Sequence, residues 1–319
     1  QYEEEQKRIE KLVWWDEVKA KVAGFPGPDV FHLHPIGLVG NFTGDGCSCK
    51  GQEMSLENLS RIATSAGEAK IREYMPSLNK AFDDFGLDTC ITRAHFVAQV
   101  LTESGQFIYT RELGGRKDYD PWRGRGLIQL THKENYVSYG DFVRDDFTAS
   151  ELAMARLESA PHSMLSAAWY YAVHAGLIDA ENRDDFIWIT RTINGAYIGF
   201  DDRLEFVNRA IEVLGLNGCA KLNNNGVYRF EESKAYSEKR ASFAWGLWHD
   251  PSKAKPGIAN KSVDEAIKGY GRYIELDDQA GAPVDRRDGK PLDRGWYGIG
   301  KSICVRDIAI ERLQALKHN

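Results

Sequence analysis

Glu103 and Glu112, in the stretch AHFVAQVLTESGQFIYTRE (residues 94–112), stand nine positions apart with Gly105 between them. Two carboxylates held across a gap can hydrolyse a glycosidic bond. One keeps its proton for the leaving oxygen, and the other activates water or attacks directly. In an unbroken helix, at about 100° per residue, the two would lie on roughly opposite faces and could not share a substrate. Gly105 sits where a helix C-terminal glycine belongs, so the chain is expected to turn there. FIYTRE then returns as an extended segment and brings Glu112 opposite Glu103. In the last helical turn Glu103 lies at the negative end of the helix dipole, which disfavours its ionised form and suits a general acid. Spacing taken alone fits two solvated surface glutamates as well.

The elements that must position this pair are mostly helical. Thr92 is the expected N-cap of RAHFVAQVLTES, whose Phe96, Val97, Val100 and Leu101 make one apolar stripe. MSLENLSRI opens another helix with Ser55 as its cap. SMLSAAWYYAVHAGLI reads as a buried helix, because its serines and histidine interrupt it as a membrane span. DDRLEFVNRAIEVLGL is amphipathic, expected to be capped by Asp201 and ended by Gly218. Strand candidates are confined to FIYTRE and the GLIQLT run. Upstream, residues 5–22 have the pattern of an amphipathic helix that GFPGPD stops, and an irregular connector follows. NNNG at 223–226 marks a further boundary. The expected organisation is an N-terminal helix and connector over 1–52, a main domain over 53–218, and a C-terminal accessory region over 219–319 that ends in the helix VRDIAIERLQALK.

Composition narrows the function classes. With 42% hydrophobic and 28% charged residues the 319-residue chain is a globular protein able to bury a core. Its formal charge of -6 argues against nucleic acid as a partner, since phosphate binding needs clustered, uncompensated Lys and Arg. No apolar run suggests insertion into a membrane. Cys47, Cys49, Cys90, Cys219 and Cys304 are too few and scattered to read as a disulfide scaffold. The chain starts at Gln1 without a signal-peptide pattern, as expected of a processed product or an excised C-terminal piece.

Downstream of the glutamates comes YDPWRGRGLIQLTHKENYVSYG. Together with AHFVAQVLTESG it resembles the glycoside hydrolase family 19 domain of plant-type chitinases and bacteriolytic endolysins. Glu103 occupies the glutamate of A-x-F-x-A-Q-x-x-x-E, and Glu112 follows at the place of the family's second glutamate. Gly124 through Tyr136 matches G-R-G-x-I-Q-[LS]-[ST]-x-x-x-N-Y, and Ile193 to Arg203 matches INGxxxxxxxR. Four motifs in order over about 53–218 are more specific than any one alone. Two positions depart from the pattern: Thr102 replaces a frequent His, and Ala196 stands where Gly is usual.

The resemblance implies a mainly α fold of the α+β lysozyme-like kind, a two-lobed helical domain with a small β-hairpin at the cleft. It implies inverting hydrolysis, with Glu103 as acid, Glu112 as base and Thr131 helping to hold the attacking water. Gln129, Asn135, Tyr136 and Asn194 would bind sugar, and Arg203 would keep the base ionised. Alternation along a strand would place Gln129 and Thr131 on one face. No metal and no organic cofactor is implied.

Chitin and peptidoglycan both present β-1,4-linked N-acetylglucosamine, so one acid–base pair serves either polymer. The short loops and the spellings RGRGLIQLT and TINGAY favour lysozyme (muramidase) action on peptidoglycan glycan strands. A chitinase and a non-catalytic glycan-binding protein are the alternatives. VFHLHPIGLVGNF resembles the connector of secreted antibacterial effectors, which would imply action in the periplasm or cell wall of a target bacterium, a secretion apparatus, and an immunity protein in the producing cell. Two further patterns point to plainer roles. His32-x-His34 with Cys47-x-Cys49 could hold zinc, but the spacing is unusual and ordinary packing is expected. The aromatics of VYRFEESKAYSEKRASFAWGLWHDP could stack on sugars, but core or interface positions are the commoner use.

Overall fold

The structure is a computed structural model that describes residues 48–319, except 116, 217–218, 220, 223–225, 281–285, 288–289, 292–295, 299–303 and 319. Its order is set by Cys90–Glu103, here α3, a helix buried along its whole length from Cys90 to Leu101. It is enclosed rather than amphipathic, so it carries polar side chains that must find partners inside the protein. Arg93 reaches the carbonyls of Leu87 and Gln52, and His95 meets Asp184 at 2.6 Å. Phe96, wholly buried, packs edge-on against Phe82 and Tyr171.

Around α3 lie α1 (Leu56–Ile62), α2 (Glu68–Asp84), α4 (Lys133–Val143), α5 (Glu151–Ala155), α6 (His162–Trp169), α7 (Ile178–Asn182), α8 (Phe186–Asn194) and α9 (Phe200–Val213). The expected buried helix after residue 162 is α6, which continues into a π-helical turn at Tyr170–His174. Ser55 caps α1 by accepting from the Asn58 amide. The cap of α3 lies one turn earlier than the sequence suggested. Thr89 is the N-cap, and Thr92 completes a reciprocal capping box with it. Likewise Gly199, not Asp201, precedes α9, and the helix ends at Val213; Gly218 is outside the described residues. Gly199 has φ of +69°, which a side chain strongly disfavours.

The small hairpin at the cleft is a correction of detail. FIYTRE and GLIQLT contribute only isolated antiparallel bridges, Arg111 with Arg125 and Arg125 with Leu130. The physical reason is turning backbone: Gln106, Phe107, Gln129 and His132 all have positive φ. Among the described residues the one paired ladder joins Arg286–Arg287 to Lys290–Pro291, far along the chain.

Residues 45–319 form one compact unit. Beyond residue 229, α10 (Lys239–His249), α11 (Val263–Gln279) and α12 (Val305–Lys317) pack on one another. Phe230, Phe243, Trp245, Trp248, Tyr270 and Tyr273 are buried there, so these aromatics are core and not exposed sugar platforms. Trp245 also stacks on Phe230 and touches Tyr197 and Phe200. Asp250, fully buried, takes both a bidentate Arg312 and the Tyr270 hydroxyl, which fastens α12.

Cys49 and Cys90 are joined by a disulfide spanning 41 residues, and Cys219 is disulfide-bonded as well. The cysteines therefore do cross-link the chain, contrary to their scattered look. Closing a loop of that length constrains the unfolded chain by on the order of 4 kcal/mol. A bonded Cys49 cannot serve as a zinc thiolate, and His32, His34 and Cys47 lie outside the described residues, as do residues 5–22. Among the described residues no helix is long and apolar enough to cross a membrane, and no group of three or more His, Cys, Asp or Glu side chains could hold a metal ion.

The α10–α11 contact gives a test in which two effects oppose. Helix propensity favours Gly269→Ala by about 1 kcal/mol. A Cβ at Gly269, however, would fall within 3.0 Å of the Gly246 backbone and the Ser242 carbonyl. Backbone cannot swing aside, so the overpacking cost of about 1–3 kcal/mol should win. Gly269→Ala is expected to lower the urea midpoint, whereas Gly271→Ala, with open space around it, is expected to leave it unchanged or slightly raised; the comparison is read by circular dichroism.

Candidate active site

The first carboxylate stands at the C-terminal end of α3. Glu103 has an 18% exposed side chain, and Arg203 of α9, 2% exposed, donates from Nη2 to its Oε1. The same guanidinium donates from Nη1 to Oε1 of Gln99 and from Nε to the Ile198 carbonyl at 3.4 Å. Gln99 is four residues before Glu103, hence one helical turn below it on the same face. This turn-spaced pair lay in plain view in AHFVAQVLTE, yet Gln99 was not picked out as a site residue. Arg203 was expected to support the base; it is bound to Glu103 instead, because α9 packs along α3 and delivers Arg203 to the end of that helix.

The second carboxylate is set by backbone. The Glu112 amide donates to the Gly124 carbonyl at 2.8 Å, and the Gly124 amide returns a bond to Glu112 Oε2 at 3.1 Å. Tyr119 donates its hydroxyl to Glu112 Oε1 at 2.7 Å, and Lys117 Nζ lies 3.5 Å from the same oxygen. Burial pushes the Glu112 carboxyl up, but the Tyr119 hydroxyl, the Gly124 amide and the Lys117 ammonium outweigh it and hold the group below the ordinary glutamate value. Tyr119 and Lys117 are partners of Glu112 in this candidate site that the sequence did not mark. No spacing rule marks them, since the loop between residues 112 and 124 decides which side chains face the carboxylate.

Gly124 is the meeting point of this wall. A Cβ there would come within 2.9 Å of Gln129 Oε1 and 3.3 Å of Thr131 Oγ1, so both side chains lie against it. They converge through a tight turn with Gln129 at φ +58°, not through strand alternation. Gln129 donates to the Gly126 carbonyl at 2.9 Å and Thr131 to the Gln129 carbonyl at 2.8 Å. Asn135 donates to the Thr131 carbonyl at 2.7 Å, which closes the turn. Gly126 has a packing role: a side chain there would strike Ser166, Leu157 and Ser163.

Tyr136 is a correction. It is fully buried, with its hydroxyl donating to the Arg123 carbonyl and accepting from Arg125, so it supports the wall and cannot reach a sugar. Arg125 itself is buried and spends its donors on Glu158, Glu151, Pro121 and Tyr136. Asn194 ends α8 and accepts from the Ile198 amide at 3.0 Å. It thereby shapes the loop that leads to Arg203. Glu103, Gln99, Asn194 and Arg203 form one group, and Glu112, Gln129, Thr131 and Asn135 another. Tyr109 connects them. Its ring lies where a Cβ on Gly105 would sit, and its carbonyl accepts from Gln129 Nε2 at 3.4 Å.

No family model matches the chain. It is 35% identical over 102 residues to a glycosyl hydrolase family 19 domain-containing protein of Haemophilus influenzae, a match covering 30% of this chain and 46% of that protein. The chain thus spans less than half the length of that relative. Among solved structures, chitinase C from Streptomyces griseus is 19% identical with a TM-score of 0.42, over 52% of this chain and 78% of the other. A family GH19 class IV chitinase from Zea mays is 20% identical with a TM-score of 0.43, over 53% and 96%. The order of the motifs from Ala94 to Arg203 is the one expected of the kind of domain for which the Haemophilus relative is named, and over 102 residues the chain is similar to that relative.

Proposed function

We propose that the chain is a glycoside hydrolase that cleaves β-1,4 bonds of peptidoglycan by inverting acid–base hydrolysis, as a lysozyme. The observation that carries this reading is the unequal treatment of two carboxylates within one domain. Glu112 receives three stabilising contacts that favour its ionised form, as a base requires. Glu103 receives the guanidinium on Oε1 alone, and its Oε2 has no hydrogen-bond partner among the described residues. We assign Oε2 as the atom that carries the proton to the glycosidic oxygen. Arg203 then fixes the rotamer of the acid and balances its charge once that proton has left.

The reaction follows from these roles. A sugar ring bound between the two groups takes a proton from Glu103 at its leaving oxygen. Glu112 withdraws a proton from water on the opposite face, and the water oxygen attacks the anomeric carbon, inverting it. The Thr131 hydroxyl donates to a backbone carbonyl, which leaves its lone pairs to accept a hydrogen bond from that water. Gln129 and Asn194, whose side chains are half-buried, would bind acetamido and hydroxyl groups; Asn135 holds the turn between them and the base.

Short connections around the two glutamates support an open site able to take a cross-linked wall polymer in preference to isolated chitin chains. The Cys49–Cys90 disulfide supports action outside a reducing cytosol. Delivery to the wall of a target bacterium, with an immunity protein guarding the producer, extends the same proposal and rests on the resemblance of residues 30–42.

Purified sacculi and chitin oligosaccharides, each incubated with the protein, test the reading. New reducing ends on muramic acid, with inverted anomers by NMR, are expected from sacculi; turnover of chitin oligosaccharides alone would move the assignment to a chitinase. Glu103→Gln and Glu112→Gln should each lower the rate by about 10²–10⁴-fold. Wild-type rates in both variants would remove the two glutamates from the mechanism.

The pH dependence follows from Glu112. Its carboxyl is depressed, so the base stays unprotonated below the ordinary value of 4.5 and activity is lost only as pH falls through the lower folded value. Tyr119→Phe removes the hydroxyl that helps to hold it down. The acidic limb of kcat/KM should move upward in Tyr119→Phe, toward 4.5, while the alkaline limb stays in place.

A further inference from the structure

We propose that the segment 250–262, well outside the matched motifs, is a strut that sets the position of Arg203 and through it Glu103. This rests on the reading of Glu103 as the acid, and Gly257 is its positioning residue. The starting observation is a backbone-on-backbone contact. A Cβ at Gly257 would fall inside van der Waals distance of the Gly199 amide nitrogen, the Tyr197 carbonyl and the Ile198 Cα. Only a residue without a side chain allows the approach, and its φ of +103° also demands glycine.

The contact is fastened by two hydrogen bonds. The Asp201 amide donates to the Gly257 carbonyl at 2.9 Å, and the Ala259 amide donates to Asp201 Oδ2 at 2.7 Å. What Gly257 presses on is the part of the loop that serves the acid. Ile198 gives its carbonyl to Arg203 Nε, and Asn194 holds its amide. Gly199 lies against Thr102, where a Cβ would come within 3.1 Å of the Thr102 methyl, and Thr102 adjoins Glu103. Any shift of Gly199 is therefore passed both to the arginine and to the end of α3.

A strut has to be stiff, and this one is tied from behind. Trp248, buried, donates Nε1 to the Pro256 carbonyl at 2.8 Å. Lys261 spends its ammonium on the carbonyls of Trp248 and Lys255, each at 2.7 Å. Lys255 in turn donates to the Tyr297 carbonyl at 2.6 Å. The loop is a closed hydrogen-bonded unit standing on the buried face of α10. Asp201, which looked from its sequence position like a helix cap, instead receives this loop.

Full-length Gly257→Ala, Asp201→Ala, Gly271→Ala and Glu103→Gln are compared for turnover of sacculi or of a soluble oligosaccharide substrate, thermal unfolding, and hydrogen exchange at the amides of 199–203. Gly257→Ala, still folding cooperatively, should lose about ten- to a hundredfold in kcat with KM within about twofold, as misplacement of a reacting group costs. Exchange at 199–203 should accelerate at least about tenfold, in keeping with a locally opened segment. Asp201→Ala should move both readings in the same direction by less, and Gly271→Ala should match the wild type. If Gly257→Ala does not fold, Asp201→Ala decides. Wild-type kcat and unaltered exchange in the folded variants overturn the strut. Wild-type turnover in Glu103→Gln overturns the glycosidase reading instead, and the strut is then decided by exchange, which unaltered protection at 199–203 would settle against it.

Discussion

A buried guanidinium needs partners, and Arg203 has enough of them to dictate the site around it. At 2% exposure it cannot hydrate its charge, and removing one side of such a pair typically costs about 3–5 kcal/mol. Its three nitrogens reach Gln99 and Glu103 on α3 and Ile198 on the loop before its own helix. The planar fork matches that arrangement and a lysine would not. The end of α3, the start of α9 and the loop between α8 and α9 are thus bound to one rigid group.

The opposite wall has another logic. Glu112 is held by the main chain of Gly124 and by a tyrosine and a lysine from the intervening loop, with Arg125 and Tyr136 buried behind it. Backbone, a phenol and an ammonium together favour its ionised form. Arg203 serves Glu103, and Tyr119 serves Glu112.

The C-terminal part changes how the aromatics of this chain are understood. Trp245, Trp248 and Phe230 looked compatible with glycan stacking, and their burial assigns them to a core shared with Tyr197 and Phe200. That core carries the 250–262 loop up to Gly199. Packing far from either glutamate in sequence thus reaches the loop whose Ile198 carbonyl accepts from Arg203.

From the sequence alone came the helical character of the domain, the break at Gly105 and the two glutamates, because helix periodicity, a terminal glycine and motif spacing are local properties of the chain. The grouping of Gln129, Thr131 and Asn135 was legible too, although the reason given for it was strand alternation and the structure uses a turn. Which glutamate Arg203 would serve could not be read, since it depends on how α9 lies along α3. Nor could the burial of Tyr136, the bonds of Tyr119 and Lys117 to Glu112, or the seating of Asp201 under Ala259. Each of these is a contact between segments whose separation is fixed only when the chain packs, so tertiary structure decided them.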